Sequence, residues 1–303
     1  MCHTPRGPAN TPWQISDFRA TWKVESLEAR IELDKPQLGI DLLRYQGKPL
    51  PGRMLGITAG TKNEYLEWTP RMVRQRGRDL TATYQDSSSP QSTLQMDWRI
   101  SPAPNEEILL EVGVVVSMHT ESLESYPHIV ATTQLACDQL FYLVDSQDGT
   151  QTTALPNGAE VQEFQASPDS KNSSELAGQS WIGQSAKEQT RDRPGCAVYR
   201  LQNLPWSYAE MVYPADFGYW QGSLPANDPN AIESNQKASS NQKGHPIGNG
   251  ARISRWDLGC KLLEKGVIRC LQLRGFLLPR HDDLPLARRN QTRFAAEKLP
   301  LAG

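Results

Sequence analysis

Cysteine is scarce and poorly placed. The five in 303 residues (Cys2, Cys137, Cys196, Cys260 and Cys270) are odd in number and widely spaced. No Cys-x-x-Cys pair and no zinc-finger Cys/His spacing occurs, so neither a disulfide framework nor a zinc domain is expected, and reduced, buried thiols are. No run approaches the ~18 apolar residues of a membrane span. The N-terminus, Met-Cys-His-Thr-Pro-Arg-Gly-Pro, lacks the apolar core of a secretory signal. The expected compartment is the cytoplasm, with no membrane partner. A basic excess is also absent: 32 Lys+Arg face 34 Asp+Glu, a formal charge of -2, which argues against a nucleic-acid partner. There is no Gly-x-Gly-x-x-Gly, no Walker loop and no Gly-x-Ser-x-Gly elbow, which argues against nucleotide-dependent chemistry and against an α/β-hydrolase. The five histidines form neither His-x-His nor His-Glu-x-x-His, and no metal or organic cofactor is expected. Strand–helix–strand alternation is missing, which argues against a parallel sheet.

What is present is alternation. Leu27, Ala29, Ile31 and Leu33 share one face of a strand, and Glu28, Arg30 and Glu32 the other. Gly39–Tyr45 reads as its partner, followed by a turn at Gly47-Lys-Pro. Leu80, Ala82 and Tyr84, then Leu94, Met96, Trp98 and Ile100, then the even positions of 108–118, continue the period of two, with turn residues between them. These read as an antiparallel meander. Residues 129–135, 140–144, 195–201 and 266–278 extend the β pattern, and 284–299 suits one short helix. A helical turn over 257–265 is a weaker reading. The expected fold is all-β: a large antiparallel β-sandwich with long polar loops and a short C-terminal helix. Residues 1–20 read as a loose arm and 21–303 as a single domain. Polar stretches at 146–194 and 224–250 read as long loops, as lids or as disorder.

The segment Trp206-Ser-Tyr-Ala-Glu-Met-Val-Tyr-Pro-Ala-Asp-Phe217 concentrates aromatic rings and two carboxylates. Rings beside fixed carboxylates suit a protein that holds a sugar and moves its protons. The order of elements, from the 28–45 hairpin through the meander at Trp98 and Val116 to the strand over 266–278, resembles the galactose-mutarotase-like β-supersandwich. The segments 207–217 and 263–269 are similar to uncharacterised planctomycete proteins, which imply no activity. The resemblance implies a small-molecule carbohydrate partner and aldose epimerase-like isomerase chemistry. Aldose epimerases carry an Asn-His pair followed by an aromatic residue and another Asn, then a second catalytic His. Here His119 lies in Met-His-Thr-Glu and His128 follows Tyr-Pro. The family's catalytic roles therefore do not transfer residue by residue.

Mutarotation needs a base for the anomeric hydroxyl and an acid for the ring oxygen. Glu210, sharing a strand face with Tyr208 and Val212, is the candidate base; the other reading is an ordinary strand carboxylate. His119, on the polar face that carries Glu111, is the candidate acid; the other reading is a surface histidine. For substrate binding the candidates are Asp216, Tyr208, Tyr213, Trp206, His128 and Arg280. Asp216 also suits a turn cap, and the aromatics also suit a core. Arg71, Arg74, Arg76 and Arg78 form a basic cluster that suits a phosphate or uronate, or a solvated loop. Two alternatives stay open: a catalytically inactive sugar-binding protein, and a protein-interaction module.

Overall fold

The computed structural model describes residues 12–24, 26–60, 66–86, 91–102, 107–121, 124–125, 127–146, 149–155, 162–165, 195–213, 219–225, 251–258 and 263–297. In chain order the strands are β1 (Trp13–Ser16), β2 (Arg19–Val24), β3 (Leu27–Glu32), β4 (Ile40–Tyr45), β5 (Lys48–Pro49), β6 (Gly52–Gly60) and β7 (Trp68–Arg76). There follow β8 (Asp79–Asp86), β9 (Ser92–Pro102), β10 (Leu110–Thr120), β11 (Glu124–Ser125), β12 (His128–Ser146), β13 (Gly149–Leu155) and β14 (Gln162–Gln165). The last are β15 (Cys196–Leu201), β16 (Trp206–Val212), β17 (Tyr219–Pro225), β18 (Ala251–Asp257), β19 (Leu263–Glu264) and β20 (Ile268–Pro279), before helix α1 (Asp283–Ala296). Every described strand pairing is antiparallel, and the all-β class follows.

Two sheets form the sandwich. The first runs β14-β17-β18-β12-β6-β4-β3-β2-β1. The second runs β7-β8-β9-β10-β20-β16-β15-β12-β13. Strand β12 belongs to both. Its first half pairs with β6 and β18, its second half with β13 and β15, and a register shift between Cys137 and Gln139 marks the handover. The alternation in β3, β8, β9 and β10 places every second side chain in one core between the sheets, with Trp22, Trp98 and Trp256 fully buried there. A second cluster lies on the other side of the second sheet. Leu286, Ala287 and Phe294 of α1 cover Phe141, Val198, Met211 and Phe276. With one face on the core and the other under the helix, β16 is buried at every position.

Several expectations need revision. Structure begins inside the stretch read as an arm: β1 pairs with β2, and the buried Trp13 donates its indole N–H to the Arg78 carbonyl at 3.1 Å. The polar stretch 146–194 contains β13 and β14, and β17 ends inside the other one. Gly149-Thr-Gln-Thr-Thr-Ala-Leu155 is a threonine-rich strand, and its few apolar residues gave it the look of a loop. The turn read over 257–265 holds the end of β18 and the short β19 among its described residues. No described helix is long and apolar enough to cross a membrane.

Candidate functional site: two sides of one sheet

Glu210 sits between the sheets with none of its surface exposed. Trp256 Nε1 donates to its Oε1, and the Thr133 hydroxyl donates to Oε2. The Tyr208 hydroxyl donates to Oε2 at 3.3 Å. Thr133 Oγ1 in turn accepts the Leu55 N–H at 3.0 Å. Leu55 lies where β6 bulges against β12, and it takes φ 57°, a left-handed conformation rare for leucine. The bulge aims its N–H at the Thr133 hydroxyl. Beside this group, Tyr199 and Ser254 share a hydroxyl–hydroxyl hydrogen bond across the sheets. Burial pushes the Glu210 carboxyl up to about 7, and the bonds from Thr133, Trp256 and Tyr208 oppose that rise. Burial also drives the Tyr199 and Tyr208 hydroxyls well above their ordinary range.

The backbone makes room for this network at Gly275, the partner of Glu210 on β20. The Tyr208 ring leans over that glycine. A Cβ there would collide with the Tyr208 hydroxyl and lie 2.6 Å from its Cε2. Gly275→Ala is therefore expected to destabilise the protein by about 2–3 kcal/mol, since the ring is buried and cannot swing away. Urea unfolding checks this; a loss under about 0.5 kcal/mol would mean that Tyr208 is not held over the glycine.

Glu210 and His119 are not brought together. Glu210 stands opposite Gly275 and His119 opposite Ile268, seven residues apart along β20. That is roughly 23 Å, and an odd number of residues puts the two side chains on opposite faces of the sheet. His119 makes a contact of 3.4 Å with Glu121 near the strand end. Trp206 and Tyr208 are buried. Tyr45 packs edge-on against Trp206 at 5.2 Å. Tyr213 donates to the Glu297 carbonyl at 3.1 Å, and Arg280 bonds Asp138 at 2.9 Å. All four side chains brace the fold. Asp216 lies outside the described residues.

His128 stands elsewhere, half-buried on the other side of the first sheet. Trp256 faces the core and touches Glu210; its neighbour Asp257 points to the far side of the same sheet. There His128 Nε2 lies 2.5 Å from Asp257 Oδ2, with side-chain exposures of 14% and 10%. The register places His128, Thr132 and Gln134 of β12, Thr58 and Arg53 of β6, and Arg255 of β18 on this same outward face. Gly60 lies beside His128, and at Gly56, beside Thr132, the missing Cβ leaves room for the Gln37 backbone, which covers that part of the face. Burial lowers the pKa of Arg53, and the charge of Asp41 works against it. Sequence reading missed Arg255 and Asp257 because Ala251-Arg-Ile-Ser-Arg-Trp-Asp257 is polar on both faces and shows no clean alternation. Among the described residues no group of three His, Cys, Asp or Glu is placed to hold a metal.

No family profile matches the chain, and no curated protein matches it. Solved structures do. A candidate aldose 1-epimerase from Klebsiella pneumoniae superposes with a TM-score of 0.52 at 7% identity, over 94% of this chain and 87% of that one. The Slr1438 protein of Synechocystis gives 0.46 at 7% identity, over 92% of this chain and 100% of the other. A candidate mutarotase from Salmonella typhimurium gives 0.41 at 9% identity, over 90% and 97%. At such identity the likeness establishes the fold alone. The fold is galactose mutarotase-like.

Proposed function

We propose that the chain binds a small carbohydrate on the outward face of the first sheet and acts on it as an aldose epimerase-like isomerase, with His128 and Asp257 as the proton-handling pair. The observation that carries this reading is the imidazole–carboxylate contact on the outward face of the first sheet, with Thr132 and Arg255 farther along the same face. The shared fold with a candidate aldose 1-epimerase supports it. His128 binds Asp257 through Nε2, so the anomeric hydroxyl proton would pass to Nδ1, which lies buried until the sugar displaces its cover, and Asp257 would stabilise the imidazolium. The C1–O5 bond then breaks, the ring oxygen takes a proton from solvent, and closure on the other face reverses the steps. Glu210, sealed in the core, holds the two sheets together in this reading.

Polarimetric mutarotation assays across common aldoses and uronates, with ligand-induced thermal shifts, test the proposal. His128→Gln is expected to lower the rate by about 10²–10⁴, and Glu210→Gln to keep most of it. Sugar binding without a rate would identify an inactive sugar-binding protein. If the rate survives His128→Gln and disappears in Glu210→Gln, the assignment is wrong.

A further inference from the structure

Most arginines with a resolved ion pair meet a buried or half-buried carboxylate: Arg30 meets Asp41, Arg200 meets Asp283 and Arg274 meets Glu297. Four others differ. Arg71, Arg74 and Arg76 lie on β7, Arg78 lies in the turn after it, and all four are exposed. None of the four has a carboxylate partner among the described residues.

Among the described residues strand β7 is an edge, paired with β8 alone. Val73 packs against the core, so Arg74 and Arg76 project from the outward face at a spacing of roughly 6.6 Å. The register carries that face inward: Arg76 to Asp79 to Arg99, Arg74 to Thr81 to Asp97, and Met72 to Thr83 to Gln95. Both carboxylates on it are engaged. Asp79 pairs with Arg99 at 3.0 Å, and Asp97 accepts from Thr81 at 2.5 Å and from Gln95 at 2.9 Å. The result is a row of guanidinium groups beside hydroxyl and amide groups. Like charges so arranged repel unless an anion spans them.

We infer that this corner binds an extended anionic glycan, its carboxylate or sulfate groups on Arg74 and Arg76 and its hydroxyls against Thr83 and Gln95. The inference rests on the carbohydrate reading above and adds to it a ligand class and a second surface. Planar guanidinium forks match carboxylate and sulfate oxygens. An acidic peptide adding itself as an extra strand fits less well. Pro70 lacks an N–H, and a register shift between Pro70 and Met72 interrupts β7. A single-stranded nucleic acid would want stacking rings, and the outward residues of this corner include no aromatic.

Calorimetric titration with a galacturonate hexamer, a sulfated hexamer and a neutral hexamer tests the inference. Both anionic oligomers, or one of them, are expected to bind at least about tenfold tighter than the neutral one, with binding weakened by added salt. The source of the anion is read from which binds better. Arg74→Ala/Arg76→Ala is expected to reduce anionic affinity about tenfold or more, while His128→Gln leaves it within about twofold. Unchanged affinity in the arginine variant overturns the inference. So does loss of anionic binding in His128→Gln, which would place the acidic sugar at the other face and leave the proposed function standing. Tighter binding of an acidic peptide or a single-stranded oligonucleotide overturns it too. If no sugar, neutral or anionic, binds the wild-type protein, both readings fail together.

Discussion

Glu210→Gln is expected to match the wild type in stability near pH 4.5 and to exceed it by about 3 kcal/mol above pH 7.5. The Glu210 carboxyl is raised from 4.5 to about 7 by burial. Below pH 4.5 folded and unfolded chains both carry the proton, and the residue contributes no pH dependence. Between 4.5 and 7 the unfolded chain releases the proton while the folded one retains it, so stability falls as pH rises. Above 7 the folded carboxylate is ionised within the core and the loss is complete. Glutamine copies the protonated acid: its oxygen can accept from Trp256, and its amide can donate to the hydroxyl of Thr133 or Tyr208. Urea unfolding of both proteins at pH 4.5, 6 and 8 isolates this group, because every other titration cancels in the difference. Parallel stability profiles would show that Glu210 is not sealed. Glu210→Ala should behave differently, losing about 3–5 kcal/mol, because it leaves a cavity and deprives Trp256, Thr133 and Tyr208 of their acceptor.

A carboxyl poised near neutrality is often a mark of catalysis, and the sequence reading of Glu210 followed that logic. The face it shares with Tyr208 and Val212 is legible in the alternation of β16, and the structure keeps those three together on the core side. What one strand cannot tell is which way that face points. Both sides of β16 are covered, by the first sheet and by α1, and that depends on partners far away in the chain. The same limit explains His119. Its parity along β10 is plain, but its distance from Glu210 is fixed by registers that both strands make with β20. Strands with one apolar face, such as β3, β8, β9 and β10, were legible. Strands polar on both faces, β13 and β18, were not, and β18 carries Asp257, the partner that gives His128 its chemical interest. The late helix was legible to within a few residues because its apolar stripe has a single surface to cover.

Asp283→Ala is expected to cost about 3 kcal/mol or more and to loosen α1 before the sandwich unfolds. Asp283 is buried at the start of the helix, and Arg200 reaches it through Nε at 2.8 Å and Nη2 at 3.1 Å. Ser207 donates to it at 2.6 Å and the Leu284 N–H at 2.8 Å. An acid in the first turn also favours the helix dipole. Arg200 lies over the Phe141 ring, 4.8 Å from its centroid, and would be left without its carboxylate in that setting. Asp283→Asn should lose less, since an amide oxygen can still accept from Arg200 and Leu284. Replacing Arg200 by Met in the Asp283→Ala background should recover part of the loss, because the stranded charge is removed with its partner. At its other end α1 is held by Arg274, which pairs with Glu297 and lies 4.7 Å from the Phe294 ring centroid. Local loosening should therefore begin at Asp283 and spread toward Phe294, which amide exchange along the helix can follow. Exchange that accelerates uniformly across both sheets would mean that the helix and the sandwich melt as one unit. The outcome bears on function as well: while α1 stays down, it covers the outward side of β16 behind Glu210, and the function proposed above places the sugar on the other sheet, at the His128 side.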